Sequence, residues 1–143
     1  MAYQITRKNR IKEELQLCHA DGSIAEQIIV DLNVDEITAR VQKAYEALGI
    51  AQDALQKQPD SPQLMEAYGN AIVAVFRVIF GDDGTERILA FYESNYTEML
   101  LDIFPFLNEV IMPQIRAASE ARKQQLVDAA RLAKKGNKRG WGR

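Results

Sequence analysis

Cysteine and histidine are almost absent from this chain of 143 residues, which has one of each, Cys18 and His19. A single cysteine excludes an internal disulfide framework and is typical of a reducing compartment such as the cytoplasm. Adjacent residues on a strand point to opposite faces, and one cysteine with one histidine makes a poor zinc site. We therefore interpret both as structural residues, and we expect no metal and no other cofactor.

Long apolar runs are also missing. The longest, Ala71 to Phe80, is interrupted by Arg77 and is too short to span a bilayer. The first ten residues, MAYQITRKNR, lack the apolar segment of a secretory signal. These observations predict a protein that acts in the cytoplasm and does not enter a membrane.

The sequence contains no motif for catalysis. Gly81 and Gly84 have neither the spacing nor the lysine of a phosphate-binding loop. Asp82 and Asp83 lack the ligand spacing of a calcium loop, and helix capping explains them better. The sequence shows no grouping of a nucleophile with a general base, such as Ser/His/Asp or Cys/His. We therefore predict a non-enzymatic protein without catalytic residues.

Charge is divided unevenly along the chain. All 20 acidic residues lie at or before Asp128. The same part of the chain has 12 lysines and arginines, so its net charge is −8. The last thirteen residues carry six positive charges, from Arg131, Lys134, Lys135, Lys138, Arg139 and Arg143. We therefore expect an acidic domain over residues 1–135 and a basic tail over 136–143, flexible because it holds three glycines and no apolar run.

The first elements of the chain have clear signals. Apolar residues partly alternate with charged ones from residue 11, and a β-branched run ends at Val30. This pattern predicts a β-hairpin over about 11–30, with its turn at Asp21-Gly22. Asn33 and Glu36 resemble a capping box that opens a helix. Apolar residues then recur at spacings of three and four, which defines a helix seam that serves either the core or self-association: Ile37, Val41, Ala44, Leu48, Ala51 and Leu55.

The later elements are predicted to be helical as well. Ser61-Pro62 opens a helix to Phe80 that is apolar on nearly every face and should be buried, and Gly81 ends it. Asn95 or Ser94 restarts the chain, and Pro105 is placed in the first turn of a further helix. Pro113 predicts a kink or break near residues 108–112. The fold class is thus mainly α, a single helical domain with a short N-terminal β-hairpin and a flexible basic C-terminus.

Large apolar side chains are concentrated between Ile79 and Pro113, which holds four of the five phenylalanines and no lysine. Such residues are more often core than interface, but here they lie on short elements broken by proline and glycine. Part of the set can form a groove for a partner helix. The candidate partner-binding residues are Phe91, Tyr92, Tyr96, Met99, Phe104 and Phe106.

The basic tail has a second interpretation. Its six positive charges and Trp141 can contact phosphate and stack a base. A solvated terminus is the commoner explanation, and the acidic domain would repel the same polymer. We therefore regard nucleic-acid binding as the less favoured alternative.

The order of these segments resembles a known family. The chain has four segments in this order: a hairpin ending in IIVDLNVDEI, a heptad-like helix, the block FGDDGTERILAFYE…YTEMLLDIFPFLNEVIMP, and a charged alanine-rich helix. This order is similar to that of the small tail assembly chaperones and tail components of long-tailed phages and prophages of Gram-positive bacteria. The similarity covers roughly residues 11–123.

The resemblance implies a function. Such chaperones bind the long helical tape measure protein, keep it soluble in the host cytoplasm and help recruit tail tube subunits. They self-associate, so a homo-oligomer is expected, and they are not necessarily present in the mature virion. The first alternative is a structural tail or connector component that stays in the particle. The second is a nucleic-acid-binding module that uses the basic tail.

Overall fold

The structure is a computed structural model that describes residues 2–5 and 10–141, with side chains to residue 135. Its elements follow the order β1 (Arg10–Cys18), β2 (Ile24–Asn33), α1 (Val34–Lys57), α2 (Pro62–Phe91), α3 (Tyr96–Phe106), a π-helical turn (Leu107–Ile111) and α4 (Met112–Trp141). The prediction of a mainly helical chain with an N-terminal hairpin is confirmed.

The hairpin joins two antiparallel strands and is slightly longer than predicted, since Arg10 pairs with Asn33. Its turn depends on Gly22, whose φ of 87° lies in the left-handed region. Asp21 accepts hydrogen bonds from the hydroxyl and the backbone N–H of Ser23, at 2.6 and 2.9 Å, and these bonds lower the pKa of Asp21. One face of the hairpin is apolar and covers α2 with Ile11, Leu17, Ile28, Val30 and Leu32.

Helix α1 begins where the sequence predicts. The side chain of Asn33 accepts a hydrogen bond from the backbone N–H of Asp35 at 3.2 Å, which caps the helix. The first four seam residues, Ile37, Val41, Ala44 and Leu48, are buried, and Ala51 and Leu55 are half-buried. Within one chain the seam is therefore part of the core, where α1 packs against α2 and α4.

Helix α2 also begins as predicted, because Ser61 accepts a hydrogen bond from the backbone N–H of Leu64 and Pro62 occupies the first turn. Gly81 interrupts the helix with φ 75° and ψ 174°, after which a second segment runs to Phe91. The expectation that every face is buried is wrong. Met65 is 57% exposed, because β2 and α1 cover only the side that bears Ile72, Val75, Phe76 and Ile79.

Helix α2 is long and apolar enough to cross a membrane by length and composition alone. The central helix of a water-soluble protein passes the same test. Here α2 packs against the hairpin and against α1, and its break at Gly81 is followed directly by Asp82 and Asp83. Those two carboxylates form ion pairs with Arg77 and Arg87, respectively, rather than the predicted capping bonds.

The two later prolines behave differently. Asn95 caps α3 through the backbone N–H of Glu98, as predicted. The prediction that Pro105 opens a new helix is wrong, because Pro105 lies inside α3. The disturbance expected near Pro113 is the π-helical turn, where the N–H of Met112 bonds to the carbonyl of Leu107.

The spacing of buried residues explains this turn. Met99, Ile103, Leu107, Ile111 and Ile115 are all buried and recur every four residues. On an ideal α-helix each such step drifts by about 40° around the axis, so the stripe would leave the core. The wider turn takes up part of that drift and keeps all five side chains inside the core.

Helix α4 continues to Trp141, so the backbone of residues 136–141 is helical where the sequence analysis expects a flexible tail. Residues 142 and 143 lie outside the described part of the chain.

Candidate partner-binding groove

A groove lies between the C-terminal half of α1 and the helix α3, and we call it the α1–α3 groove. It encloses about 430 Å³. Its lining comes from α1, α3 and the π-helical turn: Leu48, Gln52, Leu100, Leu101, Phe104, Pro105, Asn108 and Glu109. Leu101 stands at its mouth, 70% exposed, while Leu48 is buried beneath it. This volume and apolar lining suit the side chains of an amphipathic helix.

A second hollow of about 440 Å³ lies further along α1, against the start of α4. It is lined by Thr38, Val41, Gln42, Tyr45, Glu46, Met112, Ile115, Arg116 and Ser119. The rings of Tyr45, which lines this hollow, and Phe104, which lines the α1–α3 groove, meet edge to face with centroids 5.9 Å apart. Both hollows are largely apolar and lie along α1.

The wall formed by α3 is fixed by an unusual connection to α2. Glu93 and Ser94 both have positive φ, 52° and 60°, which turns the chain sharply before the Asn95 cap. The ring of Tyr96 then lies on Gly69 of α2, and a Cβ added to Gly69 would stand 2.8 Å from that ring. Gly69 therefore permits the close approach of α3 to α2 that positions this wall.

The elements that form the groove wall carry three acidic residues, of which Glu109 lies in the groove lining. Helix α3 and the π-helical turn carry Glu98, Asp102 and Glu109 and contain no lysine or arginine. The hydroxyl of Tyr92 donates a hydrogen bond to Asp102 at 3.0 Å. Burial first, and then this bond to a carboxylate, raise the pKa of Tyr92. A cationic partner in the groove would meet the carboxylate of Glu109, the one acidic residue of the lining.

Tyr45 lines the second hollow and buries a polar atom. Its hydroxyl is buried and has no hydrogen-bond partner among the described residues. Burial raises the pKa of Tyr45 to about 12, although nearby Arg116 acts in the opposite direction. At neutral pH the group is therefore a protonated phenol that can donate a hydrogen bond.

Helix α4 has an anchored part and a projecting part. Gln114 donates a hydrogen bond to Glu13 of β1 at 2.9 Å, and Arg122 pairs with Asp35 at the start of α1 at 2.6 Å. From Lys123 to Lys135 every side chain is exposed, and we call residues 123–141 the projecting segment. Among its described side chains, which end at Lys135, the exposed large apolar residues are Leu126, Val127 and Leu132.

The six candidate partner-binding residues are distributed through the core and its border. Tyr92 and Met99 are buried, so a partner cannot touch them in this conformation. Phe91, Phe104 and Phe106 are half-buried against the core, and Tyr96 is 37% exposed. The reason is that α3 and α2 pack through these side chains. Phe104 is the one that the structure places in the groove lining.

The structure describes the side chains of three of the six basic tail residues. Arg131, Lys134 and Lys135 are exposed on the projecting segment. The side chains of Lys138 and Arg139, and all of Arg143, lie outside what the structure describes. The assignment of the basic residues to a binding site stays a prediction.

Sequence reasoning missed Leu101 and Leu132, the most exposed apolar residues near the groove and on α4. The four-residue spacing from Met99 to Ile115 was the available signal for α3. It assigns Leu101 to the opposite face of the helix, and an apolar residue there is a candidate for contact with a partner.

No group of three or more metal-binding side chains occurs among the residues that the structure describes. Comparisons of the chain with family models, with curated proteins and with solved structures found no match.

Proposed function

We propose that this protein is a non-enzymatic tail assembly chaperone of a long-tailed phage, which binds the tape measure protein and helps recruit tail tube subunits in the host cytoplasm. The observation that carries the proposal is the α1–α3 groove, with Leu101 exposed at its mouth. A tape measure protein is long and helical, and an amphipathic helix buries its apolar face in such a groove. The resemblance of the segment order to tail assembly chaperones adds the identity of the partner.

The net negative charge suits the same role. A chaperone must remain soluble while it covers apolar segments, and the net charge of −8 through residue 128 opposes non-specific association of the complex. A basic or neutral face of a partner helix is favoured next to Glu109 in the groove lining.

Pull-down of the tagged protein, co-expressed with the tape measure protein of the same phage, tests the proposal. Wild type should retain the tape measure protein after nuclease treatment and at both low and high salt. Leu101→Asp should weaken binding at least tenfold, or about 1.4 kcal/mol, because it places a charge in the groove mouth. Ile29→Asp is the matched control, since Ile29 is 63% exposed on the hairpin and far from the groove lining. Equal retention by wild type and Leu101→Asp would contradict the proposal.

Two alternatives give different results. A structural tail component would be found by mass spectrometry in purified virions at a fixed ratio to the tube protein, whereas a chaperone would be absent. A nucleic-acid-binding module is favoured by the exposed Arg131, Lys134 and Lys135. It predicts recovery of nucleic acid alone, with a log–log salt slope of up to roughly −5 if all six basic residues of the tail contact phosphate.

A further inference from the structure

The face of α4 that is buried in the domain continues into the projecting segment. Ile115 is buried and Ala118 is half-buried against the core. At about 100° per residue, both lie about 30° from the mean direction of a stripe of four residues on the projecting segment: Leu126, Ala129, Leu132 and Ala133. All four residues of this stripe are exposed. The domain therefore leaves the second half of one apolar face uncovered.

The projecting segment extends about 28 Å beyond Arg122 if its nineteen residues stay helical. The domain covers none of the side chains from Lys123 to Lys135. The apolar stripe therefore stays in water unless a partner buries it, and burial of apolar surface is favourable.

The chain's own groove is out of reach. Helix α4 runs antiparallel to α1, since its Ile115 lies near Val41 and its Arg122 pairs with Asp35 at the start of α1. The α1–α3 groove lies at the other end of α1, at Leu48 and Gln52, about 20–25 Å away along the helix axis. The projecting segment leads away from that groove, so only another molecule can bring the two together.

The groove and the projecting segment are complementary in charge and in polarity. The lining of the groove is largely apolar, and it contains one acidic residue, Glu109, and no lysine or arginine. The projecting segment combines an apolar stripe with Arg131, Lys134 and Lys135 and has one acidic residue, Asp128. Parallel pairing of two projecting segments would instead bring these basic residues side by side, which costs free energy.

From this geometry we infer that the projecting segment of α4 docks in the α1–α3 groove of a second copy of this chain. Each copy offers one groove and one segment. Reciprocal exchange therefore closes a dimer, and one-way exchange builds a longer assembly. The inference does not require the proposed chaperone function, because both surfaces belong to this chain.

Light scattering on size-exclusion columns tests the inference with full-length variants. Wild type at high micromolar concentration should have at least twice the monomer mass. Leu101→Asp in the groove and Leu132→Asp in the segment should each be monomeric and remain folded, since both leucines are 70% exposed. Ile29→Asp, with the same charge change on the hairpin, should keep the mass of the wild type.

Mixing the two monomeric variants gives the decisive result. The Leu101→Asp chain keeps an intact segment and the Leu132→Asp chain keeps an intact groove, so an equimolar mixture should form a complex that neither forms alone. A monomeric wild type, an unchanged mass for Leu101→Asp, or a mixture that stays monomeric would each overturn the inference. An unchanged mass for Leu101→Asp with loss of association only in Leu132→Asp would indicate pairing of two α4 helices instead. Tape measure binding is measured separately, so its failure leaves this result unaffected.

Discussion

The two halves of α4 carry the same apolar stripe, but only one half is buried. Up to Arg122 the helix packs against α1 and its stripe is buried or half-buried, and beyond Arg122 the stripe is exposed. The difference arises because α1 begins at Val34, so α4 runs past the end of its neighbour. An amphipathic pattern thus predicts that a helix has a face to bury, and the lengths of the neighbouring helices decide how much of that face one chain can cover.

The largest expected difference in the free energy of unfolding comes from placing an aspartate on the buried half of α4 and, in a second variant, on its exposed half. Ile115→Asp should lower the free energy of unfolding by about 3–5 kcal/mol, because Ile115 is buried in the core. Leu132→Asp should change it by less than about 0.5 kcal/mol. Urea denaturation at low protein concentration, where the monomer predominates, measures both. Similar losses for the two variants would mean that the projecting segment packs within its own chain.

A pair of glycines tests how the groove wall is held. Gly69→Ala should lower the free energy of unfolding by about 1–3 kcal/mol, because the new Cβ would stand 2.8 Å from the ring of Tyr96 and push α3 away. Gly49→Ala on α1 meets nothing within 4 Å and should raise stability by up to about 1 kcal/mol. Denaturation curves of both variants decide the matter, and equal effects would refute the close packing of α3 on α2.

Alkaline pH should lower the stability of the protein through the buried hydroxyl of Tyr45. The folded protein holds the pKa of Tyr45 at about 12, above its ordinary value of 10.0, because burial disfavours the phenolate. The contribution of Tyr45 to the free energy of unfolding is therefore fully present below pH 10, and it is lost as the pH rises through 12. Thermal melts between pH 9 and pH 12 should show a smaller decline for Tyr45→Phe than for wild type.

The control for the alkaline melts is Tyr3→Phe, because Tyr3 is 91% exposed and its removal should leave the pH dependence unchanged. An equal decline for Tyr45→Phe and wild type would show that the Tyr45 phenol is not desolvated. At neutral pH the same Tyr45→Phe variant should be at least as stable as wild type, because it removes a buried hydroxyl without a partner among the described residues.

The smallest expected effect concerns the boundary between the two halves of α4. Arg122→Gln removes the 2.6 Å ion pair with Asp35 and should cost at most about 1 kcal/mol, since both side chains are partly exposed. The cost should fall at high salt. Lys123→Gln, next to it, loses only an exposed 3.4 Å pair with Glu120 and should have no measurable effect. A larger loss for Lys123→Gln would place the boundary elsewhere.

The sequence was most informative where local chemistry determines the structure. Asn33, Ser61 and Asn95 cap helices as predicted, and Gly22 makes the predicted hairpin turn, because each needs only its immediate neighbours. Pro105 was misplaced because tertiary packing of the four-residue stripe overrides the local preference of proline.

The candidate site was predictable only in part. An aromatic pattern does not distinguish a core residue such as Met99 from a groove residue such as Phe104, because both follow helical spacing. Leu101 gains its significance from the neighbouring surface of α1, which is distant in sequence. The exposed stripe on the projecting segment likewise depends on where α1 begins.

Hydrogen exchange followed by mass spectrometry tests the central claim, that the α1–α3 groove receives the projecting segment of a second copy, most directly. For wild type we predict rapid exchange of the amides of residues 123–141 in dilute solution and slow exchange at high protein concentration. The Leu101→Asp variant should exchange rapidly at both concentrations, although its mutation lies on α3 and not on α4. Exchange rates that do not depend on concentration, or that are the same in Leu101→Asp and wild type, would contradict the claim.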